Sequence, residues 1–303
     1  MVFFFKILTY FLCCILCASY MSLFERKLIA RIQLRIGPDN CGPYGMFQPV
    51  ADALKLFFKK NPFNGHSRQS IFGVFLLFTM SLAQLTLIPI LNDISNLNHG
   101  LLLTIVCHSI ISFSEILIGV SSKSKYGIIG GHRAYLQLLG SHIPFVLSTA
   151  TIVIFFKSIT LGDIASVQLN TLSILKVIPL AFVFFITLLM AMNRTPFDFV
   201  EAESELIAGA YTEYGGILFA MIYLADYLNL LFFSALLPTL FFSGYDAFST
   251  FLSMGALFFK SVFVMFFVIL IRATLPRYRQ DQMIMISWLV LIPVLLVYLT
   301  ILL

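Results

Sequence analysis

The sequence predicts an all-α integral membrane protein: one membrane domain, 1–303, with eight transmembrane helices and an amphipathic helix lying on the membrane surface. Three observations predict it. Of 303 residues, 60% are hydrophobic and only 11% charged, against roughly 25% charged in a soluble domain, so no soluble fold could hide the apolar surface. Apolar runs of about 20 residues, the length that crosses the hydrocarbon layer as helix, recur along the chain. A membrane barrel would instead show alternating segments of about ten residues. The bases are also lopsided. With the spans placed as below, 15 of the 19 Lys and Arg fall on one side, the signature of the cytoplasmic or matrix face.

The first span covers about 2–24. It resembles a signal peptide in carrying Lys6 before an apolar run, but the run continues to Phe24 and stops at Glu25-Arg26-Lys27, which reads as a membrane helix that stays. The loop after it is long. "GPDNCGPYGMFQP" (Gly37 to Pro49) is built from turn formers. In the following "VADALKLFFKK", Val50, Leu54, Phe57 and Phe58 share one helical face and Asp52, Lys55 and Lys59 another, which predicts a surface helix at about 48–60. A plain interfacial anchor accounts for this helix as well as a functional role does. Further spans follow at about 70–91, 100–121, 142–160, 172–192, 207–232, 250–272 and 282–302. The apolar stretch 233–249 is broken by Pro238 and Gly244 and reads as a loop or hairpin on the outer face. Eight spans place both termini outside and the long first loop inside.

The chemistry concentrates in "NRTPFDFVEAESELIAGAYTEYGG" (Asn193 to Gly216), where Asp198, Glu201, Glu203, Glu205 and Glu213 accompany one base, Arg194. Thr195-Pro196-Phe197-Asp198 reads as a helix start, with Asp198, Glu201 and Glu205 then on one face. A solvated helix entrance explains the first acids. It does not explain Glu213 or Asp226, which fall inside the expected sixth span, nor Glu115 inside the third. An ionised side chain at mid-membrane costs on the order of 2.5–3.5 kcal/mol even on a lenient scale, and such residues face hydrated interiors that handle ions or protons. The five histidines form no i, i+4 pair for a metal, and the five cysteines give no CxxC or iron–sulfur spacing. "GIIGG" (Gly127 to Gly131) lacks the spacing and strand context of a nucleotide loop, and the bases form no nucleic-acid patch.

The blocks "ERKLIARIQLRIGPDNCGPYGMFQPVADALKLF" (25–57), "SSKSKYGIIGGHRA" (121–134), "NRTPFDFVEAESEL" (193–206), "EYGG" (213–216) and "IRATLPRYRQDQ" (271–282) resemble, in order and over the whole chain, the first membrane chain of proton-pumping NADH–ubiquinone oxidoreductase (respiratory complex I). Members of that family are called chain 1 in mitochondria and the H subunit in bacteria. The resemblance implies a protein that joins the membrane arm to the peripheral arm and walls the tunnel for ubiquinone, its substrate. Flavin and iron–sulfur clusters would lie in partner subunits. It implies quinone-tunnel roles for Arg26, Arg35 and Asp52, and places Arg194, Glu201, Glu203, Glu205 and Glu213 on the charged path into the membrane arm. Asp226, Glu115 and His142 join that path as expected proton-handling residues. The chain departs from the family's pattern at His142 and Ala191, where relatives usually carry Glu, and at Asp226, where Glu is usual; Glu115 has no clear counterpart.

Two other functions compete. A self-standing secondary transporter would also need buried acids, but paired repeats with interrupted helices are not visible. A structural anchor gains nothing from buried charge. The expected location is the mitochondrial inner membrane with an organelle-encoded gene, since no transit peptide precedes the first span and 33 Phe accompany one Trp; the bacterial plasma membrane is the alternative.

Overall fold

The computed structural model describes residues 2–59, 68–89, 98–167, 171–242 and 250–302. Among these residues all regular structure is helical. In chain order the helices are α1 (Val2–Ile32), α2 (Gln48–Phe58), α3 (Arg68–Leu85), α4 (Gly100–Ser121), α5 (Lys125–Phe156), α6 (Leu161–Val167), α7 (Thr171–Ala191), α8 (Glu203–Leu206), α9 (Gly216–Phe241), α10 (Thr250–Thr274), α11 (Gln280–Met285) and α12 (Ile292–Leu302). A π-helical stretch, Ile286–Leu291, joins the last two. Pro293 stands two residues beyond it; its ring crowds the preceding turn and it donates no hydrogen bond, so a wider turn relieves the strain.

Seven of the described helices are long and apolar enough to cross a membrane: Leu8–Ile32 of α1, α3, α4, α5, α9, Gly255–Thr274 of α10, and Gln280–Leu302. The expected span 172–192 coincides with α7, of which Ile178–Ala191 forms a shorter apolar segment. Helix α2 begins where the surface helix was expected. Its Val50, Leu54, Phe57 and Phe58 are all exposed.

Three expectations need correction. Helix α1 does not stop at 24 but carries Glu25, Arg26 and Lys27 within it, because Glu25 finds partners inside the protein. Helix α5 starts at Lys125 rather than 142, capped by Ser124, whose hydroxyl accepts from the Gly127 N–H at 3.0 Å. The expected span 207–232 is displaced to Gly216–Phe241. Gly216 adopts φ 55°, a backbone that glycine tolerates, so the break falls at "EYGG". The helix then passes through Pro238, which stands in its final turn and costs few backbone hydrogen bonds. The expected loop 233–249 is therefore helical to Phe241, and its remainder, 243–249, lies outside the described residues.

In a bilayer the apolar effect does not drive helix against helix, so close packing at small residues carries the association. Helices α4 and α5 cross at glycine: a Cβ on Gly119 would lie 2.5 Å from Gly131 Cα. One residue earlier on α5, a Cβ on Gly130 would lie 2.4 Å from the Ala210 nitrogen, which lets α5 press against the 3-10 turn Gly209–Tyr211. The "GIIGG" segment is thus a packing device. Phe145, Phe184, Phe232 and Phe233 fill the centre between α5, α7 and α9, while Phe259 and Ile301 point outward with three quarters of their surface free (74% and 75%), as lipid-facing side chains do.

Gly119→Val tests this crossing. Overpacking a tight contact costs about 1–3 kcal/mol, so the amount of stably folded protein in the membrane should fall, whereas Gly255→Ala, where a Cβ meets nothing within 4 Å, should leave it unchanged.

Candidate functional site

Glu25 is 3% exposed, in the middle of a protein that offers little water. It survives there because three donors from three other segments converge on it. Arg194 donates to both its oxygens at 3.2 and 3.0 Å, Tyr227 of α9 donates its hydroxyl at 2.8 Å, and Arg272 of α10 forms a close ion pair. Arg194 also lies over the Tyr227 ring, 4.4 Å from its centroid. Burial opposes the charge on Arg194, but Glu25 outweighs it and holds the guanidinium above its usual range.

This knot forms one wall of a cavity of about 310 Å³. Asp198, Glu201 and Asp226 line the same space, with Asn193, Tyr211 and Tyr223. Glu115, 4% exposed, sits beside it and accepts from Asn193 Nδ2 at 2.6 Å. Burial pushes the Asp198 carboxyl above its ordinary range, partly offset by Arg277. The Tyr211 hydroxyl is raised well above its usual value, first by burial and then by the negative field of Asp226, Glu115, Glu201 and Asp198. Four acids therefore feel one another within a small, protein-walled space, the arrangement in which protons are shared and exchanged.

A second cavity, about 490 Å³, opens between α1, α2 and α9. Its walls are mainly apolar, from Ala18, Pro49, Ala53, Leu56 and Leu224, with Arg26 and Asp52 at one edge. Those two pair at 2.7 Å, each side chain about two-fifths exposed, and Gln48 Nε2 braces Asp52 at 3.0 Å. Arg26, Phe219, Tyr223 and Tyr227 line both cavities, so a wall one side chain thick divides an apolar slot from an acidic one. Arg35, exposed in the turn after α1, borders a third recess with Arg26 and Pro38.

The acidic segment does not fold as the sequence predicted. Residues 193–202 form no helix. Their carbonyls are claimed by distant elements: Gln137 Nε2 donates to Phe197 at 2.8 Å, the Tyr278 N–H to Pro196 at 3.1 Å and the Ala210 N–H to Val200 at 3.2 Å. Asn193, Ala202 and Ile207 take positive φ, which breaks helical continuation. In consequence Asp198 and Glu201 enter the cavity, whereas Glu205 lies outside it, exposed and paired with Arg133 at 2.5 Å, which holds its carboxyl below the usual range. Glu213 was expected inside a span; it stands exposed in the turn before α9. The side chain of Glu203 lies outside the described residues. His142 lies apart from the cavity, its ring centroid 6.0 Å from that of His108. Among the described residues no group of three or more His, Cys, Asp or Glu could hold a metal.

Sequence reasoning missed Glu25 and Arg272. Both follow apolar runs and read as the charged ends of spans; only the need of buried Arg194 for a counter-charge could have pointed to them. Glu25→Ala should be severe, because removing one partner of a buried ionic set costs about 3–5 kcal/mol. We expect a lower thermal midpoint and less folded protein in the membrane, and a milder loss for Glu25→Gln, which keeps the bond from Tyr227. An unchanged midpoint in Glu25→Ala would show that the knot does not carry the fold.

The sequence profile of the NADH dehydrogenase family matches residues 5–303. Among curated proteins the chain is similar to the H subunit of the NADH-quinone oxidoreductase of Neorickettsia sennetsu, with 33% identity over 95% of this chain and 91% of the relative. It is also similar to the corresponding H subunit of Orientia tsutsugamushi strain Boryong, with 36% identity over 97% and 89%, and to that of Rickettsia prowazekii, with 37% identity over 92% and 86%. With near-complete coverage on both sides, the chain belongs to the NADH dehydrogenase family that includes the H subunits of the NADH-quinone oxidoreductases.

Proposed function

We propose that this chain is the membrane component of a proton-pumping NADH–ubiquinone oxidoreductase that walls the path of ubiquinone from lipid and links quinone reduction to proton movement. The observation that carries the reading is the pair of adjoining cavities. A quinone needs a mainly apolar slot with a few oriented polar groups, and the space between α1, α2 and α9, edged by Arg26 and Asp52, has that character. Protons need a protected set of exchangeable acids, which the neighbouring space provides. The shared wall of Arg26, Tyr223 and Tyr227 lets a change of charge at the quinone head be felt by Glu201 and Asp226.

In this reading Arg26, Arg35 and Asp52 border the quinone path. Arg194, Glu201, Asp226 and Glu115 form the inner part of the proton path. Glu205 and Glu213 stand at its aqueous mouth, facing the peripheral-arm subunits that carry flavin and iron–sulfur clusters, and Glu203 joins the path by the family resemblance alone. Helix α7 crosses as an eighth span, α2 lies along the membrane surface with its exposed apolar side chains in lipid, and the base-rich loops face the matrix. The membrane is the mitochondrial inner membrane, by the Phe-rich composition and the family's presence in that organelle; neighbouring membrane-arm subunits cover the remaining flanks.

Two outcomes test the two halves separately. Asp52→Ala in the assembled complex should lower quinone-linked NADH oxidation by about tenfold, the worth of one charge-assisted hydrogen bond, while electron transfer from NADH to a water-soluble acceptor persists. Loss of both activities in an intact complex would remove the quinone role. Asp226→Asn preserves shape and fixes the neutral form, so turnover coupled to proton pumping should drop strongly; Glu213→Gln, at the mouth, should drop it less. Normal pumping in Asp226→Asn would remove the relay role.

A further inference from the structure

Two helices of the bundle run antiparallel in matched register. Glu115 of α4 lies in the electrostatic reach of Asp226 of α9, and seven residues along each helix His108 meets Phe233, ring centroids 5.5 Å apart. Midway, three residues from each acid, stand Ser112 of α4 and Asn229 of α9, both buried. Asn229 Oδ1 has no hydrogen-bond partner. At the far end, His108 is 2% exposed, its Nε2 is unpartnered, and so is the buried Nδ1 of His142 on α5. Helix α3 adds to the same level. Gly73 packs on Ile118, and eleven residues on, three full turns on the same face, Gln84 is fully buried with both amide atoms unpartnered.

We propose that His108 and His142 form one protonable station at the end of a polar ladder that leads from the acidic cavity, past Ser112 and Asn229, into the other half of the membrane. The ladder rests on the proton-relay reading above and extends it to residues of four helices. Leaving a buried polar group unpaired costs about 1–3 kcal/mol. Five such atoms on four helices therefore mark a place where water bridges polar groups, since internal water bonds to otherwise unsatisfied atoms. An imidazole can bind a proton on one nitrogen and release another from the second. A pair of them passes a proton without net bond making: the proton accepted at one ring leaves from the other. Phe145 and Phe233 flank the buried His108, and His142 is partly buried. The titratable groups facing the pair are each other, Glu115 two turns along α4, and Asp226 across on α9.

The test uses the assembled complex in sealed vesicles, scoring protons pumped and NADH oxidised. His108→Gln and His142→Gln keep hydrogen bonding but cannot carry charge, so each should reduce quinone-linked pumping by about tenfold or more, within the range of a lost proton-transfer group. The double variant should be no worse than either single, as members of one station are not additive. His142→Glu should retain pumping with a displaced pH profile, and His142→Leu should lose it; a merely structural histidine would not discriminate in this way. Wild-type pumping in the double Gln variant, or equal activity of His142→Glu and His142→Leu, overturns the station. If Asp226→Asn is defective in the same vesicles while the histidine variants pump normally, the ladder alone fails; if all pump normally, the relay reading fails with it.

Discussion

A single carboxylate organises the interior. Glu25 on α1 cannot be ionised and buried alone, and the protein answers with Arg194, Arg272 and Tyr227 from the acidic loop, α10 and α9. Isolated charge in a low-dielectric interior costs far more than any packing contact returns, so these four segments have one acceptable arrangement. The contact also explains why α1 continues beyond the apolar run and why the loop after α7 dips into the bundle instead of spreading on its surface. The acidic cavity is a by-product of that dip, since Asn193, Arg194, Asp198 and Glu201 form much of its wall.

The same constraint separates two solvents within a short distance. On one side of Tyr223 and Tyr227 the space is mainly apolar; on the other, acids share a field that reaches Tyr211 and Glu115. The two tyrosine hydroxyls lie 3.2 Å apart, close enough to bond, and Arg194 stacks on Tyr227. Aromatic rings are suited to such a wall because they offer an apolar face and a polar tip. In the proposed function, a change of charge on one side need only alter the balance of protons on the other, which asks for no large motion of the helices.

Glycine supplies the complementary requirement. The acidic loop can reach Glu25 only if the turn at Gly209–Tyr211 packs flat on α5, and the contact of Gly130 with Ala210 makes this possible. The backbone of 193–202 gains its hydrogen bonds from Gln137, Tyr278 and Ala210, so its conformation is imposed by neighbours rather than by its own helix-forming residues.

The sequence by itself determined the all-α membrane class, the approximate place of most of the membrane helices and the presence of acids that lipid would not tolerate. Those features are local: hydrophobic length, turn formers and charge asymmetry are written in consecutive residues, and a bilayer forces helices because it cannot satisfy open backbone. Only the tertiary structure decided which acids are inside. Glu25 read as the end of a span and is buried; Glu213 read as buried and is exposed; Asp198 and Glu201 enter the cavity while Glu205 turns outward to Arg133. The bonds that decide this join Glu25 to residues 169 and 247 positions away, and no periodicity carries such information. Spacing could show that His142 and His108 lie within helices, but their meeting depends on how α4 crosses α5 at two glycines, and that crossing is a property of packed surfaces.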